Sequence, residues 1–400
     1  MKLSPSQEKI LVTLLVGIQF CHILDFVIMM PLAPLFMRKL SIGTDQFSQL
    51  ISAYSFASGV IGILVISFID KFQRKSLLIT MLIGFIFSTY YCGISEDYYH
   101  FLIARCLCGF FGGVLTTITF TIISDLIPEE RRGKVIGIVM SAFSIASVGG
   151  VPLGLFIATK FSWPYAFHTI VAISIIILLL SLIYVPRYPL PEKDKATLIQ
   201  TFANYFNLLK NKSYAQGIWA IFFLSISAFL IIPFLSPYFV FNCGFEEDHL
   251  QYIYLVGGFF TIISSRIIGA LTDLKGPKLI YTIVCLLSFL PILIVTNTAP
   301  REIYIILLLT TFFMTLVSGR FVPMMTIASL LPSGKDRASY LALVNTIRSF
   351  GMALSTFLAG KIVTTNSEGL IQNYSMAGTY CIILTFISLI IVSKIKVKSV

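Results

Sequence analysis

The chain has 400 residues, of which 57% are hydrophobic and 12% are charged, and this charged share is about half of that in soluble domains. The formal net charge of +11 would suit a nucleic-acid-binding protein, but most of the 29 Lys and Arg residues lie in short segments between long apolar stretches. We therefore exclude a soluble domain and a nucleic-acid partner and expect an integral membrane protein.

Apolar stretches of about 20 residues, the length that crosses a bilayer, follow one another along the chain. We expect twelve transmembrane helices, near residues 10–36, 48–69, 76–95, 100–124, 134–160, 163–185, 214–241, 250–272, 279–298, 302–330, 338–363 and 374–394. Only nine residues precede the first stretch and no small-residue cleavage site follows it, so we interpret it as a retained helix. Lys and Arg are concentrated in the connections on one side, which predicts that both termini lie in the cytoplasm.

One longer polar segment separates two groups of six predicted helices. We expect an amino-terminal bundle over residues 1–185, a cytoplasmic linker over 186–213 and a carboxy-terminal bundle over 214–400. Apolar residues at helical spacing predict an amphipathic linker helix on the inner membrane face; they are Leu198, Phe202, Tyr205 and Leu209. This helix is either a simple tether or a regulatory element.

The sequence carries no pattern typical of a cofactor, a metal site or an enzyme. The seven cysteines form no C-x-x-C pair, and the four histidines are scattered without metal-ligand spacing. No Gly-Lys pair completes the phosphate-binding loop G-x-x-x-x-G-K-[S/T]. Uphill transport then requires an ion gradient or an energising partner.

The two halves of the sequence repeat one pattern. Asp70 and Asp273 lie 203 residues apart, and each stands with basic residues in a short polar gap between two apolar stretches. Pro34-Leu-Phe36 recurs as Pro237-Tyr-Phe239 at the same offset. Two similar halves in the same order are typical of parallel-repeat transporters.

The polar gaps also match a motif of a known family, G-x-L-a-D-r-x-G-r-k. The first gap matches it at Asp70, Lys71, Arg74 and Lys75, with Ile66 and Gln73 in place of its two glycines. The second gap keeps both glycines and the aspartate, as Gly269, Gly276 and Asp273, but has Leu274 and Pro277 at two basic positions.

Two further motifs lie in predicted helices 4 and 5. Arg105-x-x-x-Gly109 and the following turn, Asp125-x-x-Pro128-x-x-Arg131-Arg132-Gly133, both match the same family. The segment Gly149-Gly-Val-Pro152-Leu-Gly154 matches only part of that family's antiporter motif. On these motifs, the chain resembles the major facilitator superfamily, in the drug:proton antiporter and arabinose-efflux-like branch.

The resemblance implies an all-α integral membrane fold with twelve helices in two pseudo-symmetric six-helix bundles. It also implies that the polar gaps act as gates, with Asp70 meeting helix 11; the gate residues are Asp70, Arg74, Lys75, Gly269, Asp273 and Gly276. An aspartate beside a helix amino terminus is stabilised by the helix dipole. The alternative is that the basic residues of the gap only enforce the topology.

Small residues recur every four positions in predicted helices 5 and 11. The stripes consist of Ala146, Gly150 and Gly154, with Pro152 between them, and of Gly351, Ser355 and Ala359. A stripe of this kind lets another helix backbone approach closely. We expect either a sliding interface between the halves or ordinary close packing of membrane helices.

Asp25 is the one acidic residue near the middle of a predicted helix. A charged aspartate facing lipid at that depth costs ~2.5–3.5 kcal/mol, so we expect it to face a cavity or a partner. His22 lies one turn earlier on the same helix face, and Arg105 lies at a compatible depth in helix 4. We interpret Asp25, His22 and Arg105 as the proton-coupling site; the alternative is a static Asp25–Arg105 pair that fixes helix packing.

The remaining candidate residues concern the substrate. Tyr54, Phe56, Trp219 and Phe223 are aromatic candidates for an adaptable cavity lining. Arg320 and Arg348 lie deep in the second half, where no equally deep acid is found. Arg348 shares the helix face of Gly351 and Ser355, which favours hydrogen bonding between helices. The alternative is that both arginines attract an anionic substrate.

Together these observations predict a monomeric secondary transporter of the cell (inner) membrane, in contact with lipid, protons and a small-molecule substrate. The favoured activity is proton-coupled efflux of a small amphipathic compound by alternating access. The alternatives are a proton or solute symporter for a sugar or organic anion, and, more remotely, a membrane-embedded enzyme or receptor.

Overall fold

The computed structural model describes residues 4–188, 198–332 and 336–395, which are almost entirely helical. Twelve helical stretches among them are long and apolar enough to cross a membrane, so the predicted number is confirmed. These spans are Pro5–Val27, Thr44–Val65, Arg74–Ile94, Tyr98–Leu126, Glu129–Lys160, Trp163–Tyr184, Lys212–Cys243, Glu247–Lys275, Pro277–Thr296, Ile303–Leu330, Ser339–Ile362 and Tyr374–Lys394.

The helices number eighteen within the described residues because several spans are interrupted. In chain order they are α1 (Pro5–Val27), α2 (Ala33–Lys39), α3 (Thr44–Phe68), α4 (Arg74–Ile94), α5 (Tyr98–Leu126), α6 (Glu129–Met140), α7 (Ala142–Ile145), α8 (Val151–Lys160), α9 (Trp163–Tyr184), α10 (Leu198–Lys210), α11 (Lys212–Phe229), α12 (Leu235–Cys243), α13 (Leu250–Lys275), α14 (Pro277–Thr296), α15 (Ile303–Gly319), α16 (Phe321–Leu330), α17 (Arg337–Ile362) and α18 (Tyr374–Lys394). A small antiparallel hairpin of β1 (Thr364–Thr365) and β2 (Ile371–Gln372) connects α17 to α18.

Helix ends follow from local sequence signals. Ser4 and Gln7 form a capping box at the start of α1, with Pro5 at the first helical position. Between α13 and α14 the backbone of Gly276 has a φ of +86°, a conformation that favours glycine. In the first polar gap the equivalent residue, Gln73, has an extended backbone and caps α4 through its side chain. The two gaps therefore start their following helices differently: the second gap uses the backbone of Gly276, and the first uses the side chain of Gln73.

Two interruptions coincide with proline. The first span was predicted to reach residue 36, but α1 ends at Val27 and a turn precedes α2, because Pro31 and Pro34 cannot donate backbone hydrogen bonds. The span Glu129–Lys160 widens into a π-helix over Ala146–Gly150, directly before Pro152.

The helices group into two compact units, each with its own buried core. The first unit consists of Met1–Met29 and Ala53–Thr201, and in it α4 packs against α5 and α9. The second consists of Met30–Ser52 and Phe202–Val400, and in it α11 packs against α17 and α18. The predicted domain boundaries, which place one bundle at residues 1–185 and the other at 214–400, stay a prediction.

Both small-residue stripes pack within their own unit. A Cβ atom added to Gly150 would lie 2.8 Å from the side chain of Leu24 in α1. In the second unit, Gly351 lies against Ser225 of α11, and Ser355 donates a hydrogen bond of 2.5 Å to the carbonyl of Ile226. These contacts are close packing of neighbouring helices, and an interface between the halves stays a prediction.

The predicted linker helix is present as α10. Its Tyr205 is buried, whereas Phe202 and Phe206 are exposed. The side chain of Leu198 lies outside the described residues. The placement of α10 on the inner membrane face stays a prediction.

Candidate functional site

The predicted partners Asp25 and Arg105 meet inside the first unit. Nη1 of Arg105 on α5 lies 2.8 Å from Oδ2 of Asp25 on α1, and both side chains are 0% exposed. Oδ1 of Asp25 has no hydrogen-bond partner among the described residues. One carboxylate oxygen is therefore tied to a cation, and Thr89 lies close enough to the carboxyl group to interact with it.

The R-x-x-x-G motif has a direct packing reason. A Cβ atom added to Gly109 would lie 2.8 Å from the Cα of Tyr54, so only glycine lets α3 pack this closely on α5. This approach brings the ring of Tyr54 to 4.7 Å from the guanidinium carbon of Arg105. The cation is thus held between a carboxylate and an aromatic face.

Tyr54 is placed differently from its predicted role in the substrate cavity. It is buried, and its hydroxyl donates a 3.2 Å hydrogen bond to the backbone carbonyl of His22. Tyr54 is therefore part of the Asp25–Arg105 site, and the cavity interpretation of this residue is not supported by its burial.

His22 contributes a polar chain that leads away from Asp25. Its Nε2 contacts Oε1 of Gln19 and lies 3.1 Å from Oγ1 of Thr116. Because Thr116 donates its own hydrogen to the carbonyl of Gly112, the Nε2 atom is the donor in this arrangement. Gln19 and Thr116 were not predicted from the sequence. Gln19 could have been found, because it lies one helical turn before His22.

The first polar gap contains a second buried ion pair. Nε of Arg74 lies 3.0 Å from Oδ2 of Asp125, and both side chains are buried. Nη1 of Arg74 also donates to the carbonyl of Ile69 at 2.5 Å. Arg74 therefore links the end of α5 to the first polar gap. This structural contact is additional to any effect of its charge on the membrane topology.

Tyr188 completes this ion pair and was missed by the sequence. Its hydroxyl donates to Oδ2 of Asp125 at 3.2 Å, and burial raises the pKa of Tyr188, with the neighbouring carboxylate adding to the shift. Asp70 lies in the 3-10 turn Ile69–Lys71, and its side chain lies outside the described residues.

The lysines that end the two gaps make equivalent contacts. Nζ of Lys75 donates to the carbonyl of Leu182 at 2.6 Å, and Nζ of Lys278 donates to the carbonyl of Ser393 at 3.2 Å. Asp273 is exposed near the end of α13, and Gly269 has only Val322 within 4.0 Å of an added Cβ.

The other predicted cavity residues differ in their surroundings. Phe56 and Trp219 are 57% and 52% exposed, and Trp219 packs on Phe223 at 6.2 Å between ring centroids. Arg348 lies over the ring of Phe321 at 5.7 Å, and no side-chain hydrogen bond of Arg348 is found in the described part of the chain. The hydrogen-bonding role predicted for Arg348 is therefore replaced by stacking on an aromatic ring.

Arg320 is fully buried in the second unit. Its Nη1 donates to Oγ1 of Thr385 at 2.8 Å, and its Nε donates to the carbonyl of Val317 at 3.2 Å. The contact with Thr385 joins Arg320 to α18.

Comparisons with known proteins fit this geometry. A family model described as the Major Facilitator Superfamily matches residues 15–356. The uncharacterised MFS-type transporter YtbD of Bacillus subtilis (strain 168) is 27% identical over 354 residues, which cover 87% of this chain and 86% of that protein. A "Probable sugar efflux transporter" of Pasteurella multocida (strain Pm70) is 22% identical and covers 85% of this chain and 80% of its own.

Solved structures agree on the fold. A bacterial homologue of the human lysosomal transporter Spinster, in an inward-facing and occupied conformation, superposes with a TM-score of 0.78 at 13% identity, over 98% of this chain and 97% of that one. With twelve spans, the family motifs in their expected helices and a family model over most of its length, the chain belongs to the major facilitator superfamily; it is a multi-pass membrane protein that carries out secondary transport and is not an enzyme.

Proposed function

We propose that the protein exports a small amphipathic compound in exchange for protons, by alternating access of two six-helix bundles. The observation that carries this proposal is the fully buried Asp25–Arg105 pair, whose carboxylate has one oxygen without a partner among the described residues. A buried carboxylate is expensive unless it is paired or protonated, so its two protonation states favour different surroundings.

In this proposal, Asp25 binds and releases one proton in each transport cycle, and the net charge of the Asp25–Arg105 pair changes with it. When Asp25 is ionised, it neutralises Arg105; when Asp25 binds a proton, Arg105 keeps the face of Tyr54 and the backbone carbonyl of Asp25 as favourable contacts. His22 and Thr116 form a separate polar contact in the first unit, which we propose receives the proton after Asp25. Moving one charge through 100 mV is worth ~2.3 kcal/mol, so one proton supplies useful drive.

The export direction is supported by the name of the Pasteurella multocida relative and by the resemblance of the motifs to an efflux branch. The symport of an organic anion is the second candidate, and the buried Arg320 favours it, since no ion pair of this residue is found in the described ranges. The direction of transport separates the two candidates.

The gate role of the polar gaps belongs to the same proposal. Asp70 and Asp273 would each stabilise one of the alternating states, and Arg74 with Asp125 would transmit the change to the end of α5. The linker 186–213 would join the two bundles on the cytoplasmic side of a cell (inner) membrane, with both termini in the cytoplasm and the protein acting as a monomer.

The test starts with a screen for the transported compound. Inverted membrane vesicles are mixed with fluorescent compounds or labelled sugars in the outer solution, with and without an uncoupler. Accumulation that the uncoupler abolishes is expected. Accumulation that needs no proton gradient, or movement only in the opposite direction, would contradict proton-coupled export.

A further inference from the structure

Arg320 stands where the tenth span is interrupted. The span changes from α15 to α16 at this residue, because Pro323 has no N–H to donate to the carbonyl of Gly319. The side chain points into the second unit and is 0% exposed. A full positive charge is thus buried at a break in a membrane helix.

The hydrogen bonds of Arg320 go to neutral groups alone within the described residues. They are the hydroxyl of Thr385 and the carbonyl of Val317, and the thiol of Cys381 lies close enough to accept a further hydrogen bond. Thr385 has already donated its own hydrogen to the carbonyl of Cys381, so it acts here as an acceptor. Nη2 of Arg320 has no partner in the described part of the chain.

The surrounding shell is also neutral. Tyr281, Cys285 and Cys381 lie close enough to the guanidinium to interact with it electrostatically. Tyr281 is bonded to Ser388 at 2.6 Å, and Ser388 donates onward to a backbone carbonyl. No salt bridge of Arg320 occurs among the residues that the structure describes, and the acidic residues of the second unit lie at helix ends or in connections.

A buried cation without a counter-charge is strongly unfavourable, and arginine does not lose its proton to relieve the cost. Two N–H groups on Nη2 are available for charge-assisted hydrogen bonds, which prefer an anion. We propose that Arg320 is the centre of a binding site for a small monovalent anion, held by Nη2 and lined by the thiols of Cys285 and Cys381.

Two anions have this chemistry, chloride from the surrounding solution and a carboxylate on the transported compound. Both carry one negative charge and accept hydrogen bonds from a guanidinium. The inference does not depend on the export direction or on proton coupling, so failure of one leaves the other standing.

The experiment measures thermal unfolding of the full-length protein in detergent. Sodium chloride, sodium benzoate and sodium gluconate are compared at equal ionic strength, and the anion is titrated. Gluconate is the control, because its hydroxyl groups would lose their hydration in a fully buried site. We expect chloride or benzoate to raise the Tm by a few degrees in a saturable manner, since a ligand that binds only the folded state stabilises it. The shift should vanish in Arg320→Gln and persist in the matched control Arg301→Gln, which removes an exposed arginine of the same unit.

Two further variants keep the test decisive if Arg320→Gln does not fold. Arg320→Lys keeps the charge but loses Nη2, so the anion concentration at half-effect should rise at least tenfold. Thr385→Val keeps the guanidinium and removes a neutral acceptor, so the shift should remain. Binding of radioactive chloride and labelled benzoate to the wild-type protein is measured in parallel.

A saturable effect of chloride assigns the site to a halide, and an effect of benzoate alone assigns it to a substrate carboxylate; both support the proposal. Equal shifts with all three salts, a shift that survives unchanged in Arg320→Gln or Arg320→Lys, or the absence of bound chloride and benzoate would overturn it.

Discussion

Arg105 in the first unit and Arg320 in the second are both 0% exposed, but their surroundings differ. Arg105 in the first unit has a carboxylate at 2.8 Å and an aromatic face, whereas Arg320 in the second has a threonine hydroxyl and a backbone carbonyl. An arginine that is paired with a carboxylate can lose its counter-charge when the carboxylate binds a proton. An arginine without a counter-charge favours binding of an anion from the surrounding solution. We infer that the repeated halves have divided two tasks, proton coupling and anion binding.

The polar gaps show the same pattern of shared scaffold and different chemistry. Lys75 and Lys278 each donate to a carbonyl near the end of the last helix of their half. Arg74 forms a buried ion pair with Asp125, whereas Pro277 stands at the equivalent position of the second gap. The repeat thus preserves the lysine contact, and among the residues that the structure describes the buried ion pair is found in the first unit.

The largest effect is expected from Asp25→Asn. Asparagine keeps the size and much of the hydrogen bonding of aspartate but does not titrate. Uphill transport driven by an imposed pH gradient should be lost, more than about a hundredfold, while downhill exchange of substrate continues, because coupling requires a group that gains and loses a proton. Proteoliposomes with a pH gradient of either direction measure both activities on one preparation.

The control for Asp25→Asn is Asp97→Asn, which removes an exposed aspartate just before α5. It should leave both activities unchanged. If Asp25→Asn still concentrates the substrate at the wild-type rate, the pair with Arg105 is structural and the coupling group lies elsewhere.

The sequence predicted the number of spans and the Asp25–Arg105 contact, but not the residues that surround this pair and the Arg74–Asp125 pair. Twelve apolar stretches and one deep aspartate are one-dimensional signals, so the span number and the Asp25–Arg105 contact followed directly. Tyr54 was misplaced because the periodicity of a mostly apolar helix does not show which face meets α5. Tyr188 was missed because its contact with Asp125 depends on how the chain leaves α9.

The next effect should come from Gly109→Ala. The added methyl group would meet the backbone of Tyr54, which cannot turn aside as a flexible side chain can. Overpacking of this kind costs about 1–3 kcal/mol, so the Tm should fall and coupling should weaken as the ring of Tyr54 leaves Arg105. The control is Gly137→Ala, where an added Cβ has nothing within 4 Å and the helix should be unchanged or slightly stabilised. Equal Tm values for the two variants would contradict the packing argument.

A smaller difference should separate the two polar gaps. Asp70→Asn is expected to lower turnover about tenfold with little change in substrate affinity, because it removes a contact made in one alternating state. Asp273→Asn should lower turnover less than about twofold, since the second gap lacks an equivalent of Arg74. Binding and transport measured on the same purified variants test this; equal losses in both variants would mean that the gaps are equivalent gates.

The smallest effect concerns the lysine contact that both units share. Lys75→Met and Lys278→Met each remove a cation from carbonyls near the end of a helix, at α9 and α18, where a positive charge is worth about 0.3–1 kcal/mol at low ionic strength. Arg187 lies close enough to Lys75 to repel it, whereas the corresponding position of the second unit has no such cation among the interactions described. At low salt, Lys278→Met should therefore lower the Tm more than Lys75→Met, despite the longer hydrogen bond of Lys278.

Added salt screens the repulsion and should bring the two Tm values together, because both exposed contacts weaken with ionic strength. Thermal unfolding of the two variants across a salt series measures this, and a larger loss for Lys75→Met at low salt would show that hydrogen-bond length outweighs the neighbouring charge.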